Sequence, residues 1–276
     1  MSEMSEAVQP HDDVPASDRH ILFVEQIAGG DLVLMTFKDP APRYAILAGA
    51  AAISHGDALE VVLLPLTASP QMAALDASWL AKASAPATPP PVYVKYRGVE
   101  LMWRPGRAVL QCDPEQTESL LSALVEFAYY ESELRRIESE IAAAWAELEQ
   151  DKGLAFNVTR ADLKRGEVVG GRMSRALERR IRMARIEPHL YEPDAGSPAA
   201  SQKLGAELRD KARIESRLET VDAQIEVFED IYEMGGQRMG EFRASQEEHV
   251  LEWIIIILLA GELLLLLIQA LWHFGS

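Results

Sequence analysis

The densest group of residues able to do chemistry lies in GGRMSRALERRIRMARIEP, where Arg172, Arg175, Arg179 and Arg182 recur every three or four residues. On a helix that spacing places the four guanidinium groups on one side, with Met173, Leu177, Ile181 and Ala184 on the other. Residues 160–185 carry nine basic and three acidic side chains, a strong local excess in a chain of net charge −16. Three uses are open to such a face. It can be the solvated outside of a core helix, paired with nearby glutamates, or it can attract anionic lipid headgroups. It can also bind RNA, a ribosome or another polyanion. No aromatic residue interleaves the arginines, which disfavours stacking of single-stranded bases. Gly170-Gly171 precedes them without the fingerprint of a nucleotide-binding loop.

Nucleophilic and metal chemistry find little material. The six histidines, at 11, 20, 55, 189, 249 and 273, form no HExxH motif and no ligand set with a carboxylate. His55 beside Asp57 and His249 near Glu252 are isolated pairs of the structural kind. Cys112 is the only cysteine, so no intrachain disulfide forms and no cysteine-based zinc site is available, in keeping with a reducing compartment. The expectation is a protein without catalytic residues, cofactor, metal or identified small-molecule substrate. A second alternative, an unrecognised enzyme acting on a phosphate-containing ligand, would be revived by an ordered pocket of converging arginines and carboxylates at a sheet–helix junction.

The remaining informative polar groups sit in an apolar run. Residues 253–272 read WIIIILLAGELLLLLIQALW, and thirteen of the twenty are Leu or Ile. Twenty helical residues rise about 30 Å, the thickness of a bilayer's hydrocarbon core. The thirteen favour insertion by roughly 4 to 8 kcal/mol, and one mid-membrane acid, Glu262, opposes it by roughly 2.5 to 3.5. Insertion wins. Trp253 and Trp272 bracket the run at headgroup depth, and Glu252 lies at the boundary beside Trp253. Glu262 and Gln269, seven residues apart, share a face, and a carboxyl group in lipid needs a partner, so helix–helix association into a homo-oligomer is expected. Arg238 and Arg243 precede the run and only His273 follows it, which places the main domain in the cytoplasm and the chain in the inner membrane as a single-pass, tail-anchored protein. The start, MSEMSEAVQPHDDVP, lacks the pattern of a signal peptide and reads as a disordered acidic leader over 1–19. Net acidity opposes indiscriminate nucleic-acid binding.

The elements that must position these groups fall into two classes. ILFVEQI, DLVLMTF and ALEVVLLPL within 21–66 read as strands, and YAILAGAAAI (44–53) as a strand or a short helix. After a Pro-rich connector at 83–91, VYVKYR, VELMW and RAVLQC read as a small antiparallel sheet. Asp113-Pro114-Glu115 is a helix start. Leu120, Leu124, Phe127, Leu134, Ile137, Ile141 and Leu148 then trace a long amphipathic helix near 115–150. A second helical region covers 159–188, broken at Gly166 and at Gly170-Gly171. A last helix runs from about Ser201 toward the membrane, with a heptad-like seam at Leu218, Val221, Ile225, Phe228 and Tyr232. Gly235-Gly236 and Gly240 either loosen it or permit close packing.

The segment HVLEWIIIILLAGELLL, with Leu251-Glu252-Trp253, the isoleucine run and Glu262 ten residues beyond Glu252, resembles the C-terminal signature of the YagE-like, required-for-meiotic-nuclear-division family. The helix before it and the arginine-rich Leu163 to Tyr191 region are similar in layout. Val250 stands where the family often has a basic residue, and residues 20–91 show no match. The resemblance implies a membrane-tethered, oligomeric protein, similar to factors that support organellar translation at the inner membrane, and no catalytic activity.

The expected fold class is α+β: a β-rich N-terminal part (20–112), a long antiparallel coiled-coil-like helical hairpin (113–248) and a single C-terminal transmembrane helix (249–276). The expected function is that of a membrane-tethered homo-oligomeric scaffold, with RNA or ribosome binding through the arginine face as the alternative.

Overall fold

The computed structural model describes residues 17–48, 58–66, 79, 89–191 and 197–274; the side chains of residue 17 and of residues 269–274 fall outside the description. Seven strands form one sheet: β1 (Ser17–Val24), β2 (Leu32–Phe37), β3 (Arg43–Ala48), β4 (Ala58–Pro65), β5 (Val92–Tyr96), β6 (Val99–Arg104) and β7 (Arg107–Cys112). Their order is β2-β3-β1-β4-β7-β6-β5, antiparallel throughout except for the parallel pair β4–β7. The expected three-stranded antiparallel group therefore exists, but β4 joins it to β1, β2 and β3 in a single mixed sheet. β4 can hold that central place because Val61, Val62, Leu63 and Leu64 are all buried, so both of its faces are covered. Arg97 (φ 41°) and Gly98 (φ 83°) close the β5–β6 hairpin with two consecutive left-handed residues, as a type I′ turn requires. Ser17–Arg19, expected in the leader, are the first residues of β1; the rest of the leader and most of the Pro-rich connector lie outside the described residues.

Among the described residues after β7 there are four α-helices: α1 (Thr117–Asp151), α2 (Gly166–Tyr191), α3 (Ala199–Lys211) and α4 (Ile214–Phe274). The Asp113 carboxylate accepts from the Glu115 N–H at 3.2 Å, capping the 3-10 turn that leads into α1. All seven apolar positions that trace α1 in the sequence are buried. Its first half packs on the sheet: Tyr129 stacks on Phe37 with centroids 3.8 Å apart, and Phe127 meets Trp103 edge-on at 5.0 Å.

The break expected at Gly170-Gly171 is absent and one unexpected break is present. α2 runs through Gly170-Gly171, and Pro188 sits within its last turn. The helix expected from Ser201 is interrupted at Ala212-Arg213, where Arg213 adopts φ 55° and its N–H bonds the Asp210 carbonyl at 3.0 Å. α4 continues through Gly235, Gly236 and Gly240. At Gly235 close packing is the reason: a Cβ there would stand 3.3 Å from Leu154 Cβ.

The chain divides into two compact units, one of Met1–Glu140 with Ile181–Asp222, the other of Ile141–Arg180 with Ala223–Ser276. Within each, side-chain contacts fix which helices pair. In the first unit Tyr130 stacks on His189 and Glu140 pairs with Arg182, so α1 and α2 run antiparallel. In the second unit Trp145 meets Phe228 at 5.1 Å and Leu154 meets Gly235, so the chain after residue 141 and α4 ascend together. The antiparallel partner of α1 is α2, and α4 is parallel to α1. The seam Leu218, Val221, Ile225, Phe228 and Tyr232 is buried inside this chain.

Candidate functional site

The arginine helix is inverted relative to the simplest expectation. Val169, Arg172, Ala176, Arg179, Met183, Ile186 and Leu190 form its inward stripe, with Arg172 13% and Arg179 9% exposed. Met173, Leu177 and Ile181 lie outside at 45%, 54% and 47%. The sequence carries two stripes of equal periodicity, and apolarity alone selects the wrong one. Carboxylates decide the choice. Asp151 falls on the α1 seam, three residues after Leu148, and is fully buried. Arg172 and Arg165 both grip it, the latter at 2.6 Å, while Glu147 lies 3.2 Å from Arg172 as an ion pair and accepts from Arg175 at 3.0 Å. Arg182 pairs with Glu140, and Arg180 reaches Glu229 at 3.0 Å. The hydrogen bond to Asp151, with that carboxylate's charge behind it, holds the Arg172 guanidinium above its ordinary range. Leaving an apolar side chain in water forfeits about 1.5 to 3 kcal/mol, whereas stranding a buried carboxylate costs about 3 to 5. The helix therefore turns its charges in.

A second, similar cluster lies in the first unit. Glu131 occupies the α1 seam between Phe127 and Leu134 and is 1% exposed. Arg217 bonds Glu131 at 2.9 Å and both oxygens of Glu138 at 2.8 Å, while Arg135 pairs with Glu131 from one turn away. Burial alone would lower the Arg217 pKa, but the two carboxylates outweigh it and raise the value. Two cavities border this group. One, of about 500 Å³, lies against Leu59, Trp103, Pro105 and Arg136. The other, of about 650 Å³, is walled by Pro89–Val92, Tyr93, Trp103 and the turn Lys211-Ala212-Arg213. Glu131, Arg135 and Trp103 border both. This is a pocket of converging arginines and carboxylates at a sheet–helix junction, the feature that the sequence does not display. Its signal is nevertheless present: Glu131, like Asp151, is an acid at a core-facing position of a mostly apolar stripe.

In the apolar part of α4, an 18-residue window has mean hydropathy 2.6 and none of it is buried. Glu252 pairs with His249 at 3.2 Å, both exposed, and Trp253 is exposed beside them. Glu262 is exposed on the same helix. Gln269 and Trp272 are helical, but their side chains lie outside the described residues. Among the described residues, no three His, Cys, Asp or Glu side chains cluster closely enough to hold a metal ion. Cys112 is buried, 3.4 Å from the Thr117 hydroxyl, and burial raises its thiol pKa.

No family model matches the chain, and no curated protein does. Among solved structures, the full-length CmaX protein is similar at TM-score 0.35 and 11% identity, covering 88% of this chain and 83% of that one. A likeness at that score supports no conclusion here.

Proposed function

We propose that this chain is a membrane-tethered, homo-oligomeric scaffold without catalytic activity, its main domain on the cytoplasmic side of the inner membrane. The supporting observation is the apolar length of α4, long enough to cross a bilayer and with no protein surface buried against it. The resemblance of His249 to Leu265 to the YagE-like family points the same way. A coiled-coil-like contact along Leu218 to Tyr232 is already used within the chain, so contact between copies falls to the bilayer segment and Glu262. RNA or ribosome binding has less support, because Arg172, Arg175 and Arg182 are engaged by carboxylates of this chain and Arg179 is buried.

The test is fractionation followed by crosslinking in membranes. The full-length protein is expected in the carbonate-resistant pellet as a ladder of crosslinked species that Glu262→Leu reduces to monomer. Recovery in the supernatant would refute the tether. An unchanged ladder for the variant, or monomer alone for both proteins, would refute the role of Glu262.

A further inference from the structure

The larger cavity has a charge pattern that the fold does not need. Of its lining cations, Arg135 and Arg217 are matched by Glu131 and Glu138, and these four cancel. Lys211 and Arg213 remain, both exposed and making no salt bridge among the described residues, in a protein of net charge −16; the acid that feels the charge of Lys211, Glu207, already pairs with Lys203 and does not line the cavity. They flank the break that opens α4, whose first intrahelical bond runs from the Arg217 N–H to the Arg213 carbonyl at 3.1 Å. The amide N–H groups just after Arg213 therefore lack helical acceptors and carry the partial positive charge of a helix start. Glu215, in the same first turn, does not line the cavity. Arg213 holds φ 55°, a conformation in which glycine is the relaxed residue, so an arginine here maintains a cation where the backbone favours none.

The opposite wall differs in kind. Pro89, Pro90 and Pro91 with the exposed ring of Tyr93 present flat apolar surface. Deeper in, Trp103 is 2% exposed, and its indole N–H has no hydrogen-bond partner among the described residues. The volume, about 650 Å³, lies within the range of small-molecule sites.

We propose that this cavity binds a small phosphate ester bearing a planar ring, of the mononucleotide kind, with the phosphate at Lys211 and Arg213 and the ring against Tyr93 and the proline wall. The cations supply charge-assisted hydrogen bonds and the aromatic wall supplies stacking area. This site is independent of how the chain is tethered and requires no reaction.

Calorimetric titration of the full-length protein in detergent at low salt tests it, with ADP, AMP, inorganic phosphate and adenosine as probes. A nucleotide is expected to bind at least about tenfold more tightly than phosphate or adenosine alone. Arg213→Gly, which suits the left-handed backbone and keeps the fold, should weaken it about tenfold, and Arg213→Gly with Lys211→Ala about a hundredfold. Tyr93→Ala should erase the preference of nucleotide over phosphate. Unchanged thermal unfolding of Arg213→Gly separates loss of binding from loss of fold. The proposal is overturned by absence of binding at about 10 mM nucleotide, by affinities that ignore the double variant, or by phosphate binding as tightly as ADP.

Discussion

Two buried acids on α1, Glu131 in the first unit and Asp151 in the second, are each gripped by two arginines, yet they serve different ends. Around Asp151, counting Glu147 and Asp162 against Arg165, Arg172 and Arg175, three negative charges meet three positive ones and nothing is left over. Around Glu131 the four central groups also cancel, but Lys211 and Arg213 add two cations facing a cavity. The lesson is that an ion cluster is explained as structure only when its charges close. A surplus beside empty volume asks for something outside the chain.

The comparison breaks most readily on stability. Asp151→Ala leaves the nearly buried Arg172 with only the half-exposed Glu147 and should cost about 3 to 5 kcal/mol. Glu131→Ala should cost less, about 2 to 3, because Arg217 keeps the bidentate Glu138 and Arg135 borders a cavity instead of packed protein. Denaturant unfolding followed by tryptophan fluorescence measures both, since Trp103 lies in the first unit and Trp145 in the second. Equal losses would erase the distinction.

A smaller effect sharpens the first unit. Tyr129 is buried against Phe37, its hydroxyl has no partner among the described residues, and burial raises its pKa well above the ordinary range, as it does for Tyr130. A phenol raised in this way favours the folded state below its unfolded pKa near 10, and that stability disappears as pH climbs toward the folded value. Tyr129→Phe should therefore be neutral or stabilising by about 1 kcal/mol and should move alkaline unfolding to higher pH. An alkaline midpoint that moves down would contradict it.

The smallest effect belongs to the second unit. Gly236 has open space around it, so Gly236→Ala should gain about 0.5 to 1 kcal/mol of helix stability. Gly235→Ala should gain clearly less or lose, because its methyl group meets Leu154. Thermal unfolding of the two variants side by side decides whether that contact is tight.

Much of this was legible in sequence, for identifiable reasons. The strands, the α1 seam and the apolar stretch of α4 follow from periodicity and length, since burying or inserting apolar area is the largest local signal. The direction of α2 was not legible. Its two stripes repeat with the same period, and the choice between them rests on Asp151, Glu147 and Glu140, which lie 21 to 42 residues earlier on another helix. The cavity was hidden for a related reason: Arg135, Lys211 and Arg213 come together only through the break at Ala212-Arg213, and no glycine or proline marks that break. Glu131 and Asp151 were visible as acids at core-facing positions, a signal that periodicity by apolar residues passes over.

The irregular register of β2 bears on how the sheet ends. Among the described residues this strand pairs only with β3, and Leu32 and Val33 are exposed along it. Pairing skips Leu34, which is the extra residue of a bulge between Val33 and Met35. A bulge at an open edge bends the strand and interrupts the row of amide groups that a strand from a neighbouring copy would need to extend. The apolar border can thus stay uncovered in a crowded compartment without seeding a continuous intermolecular sheet.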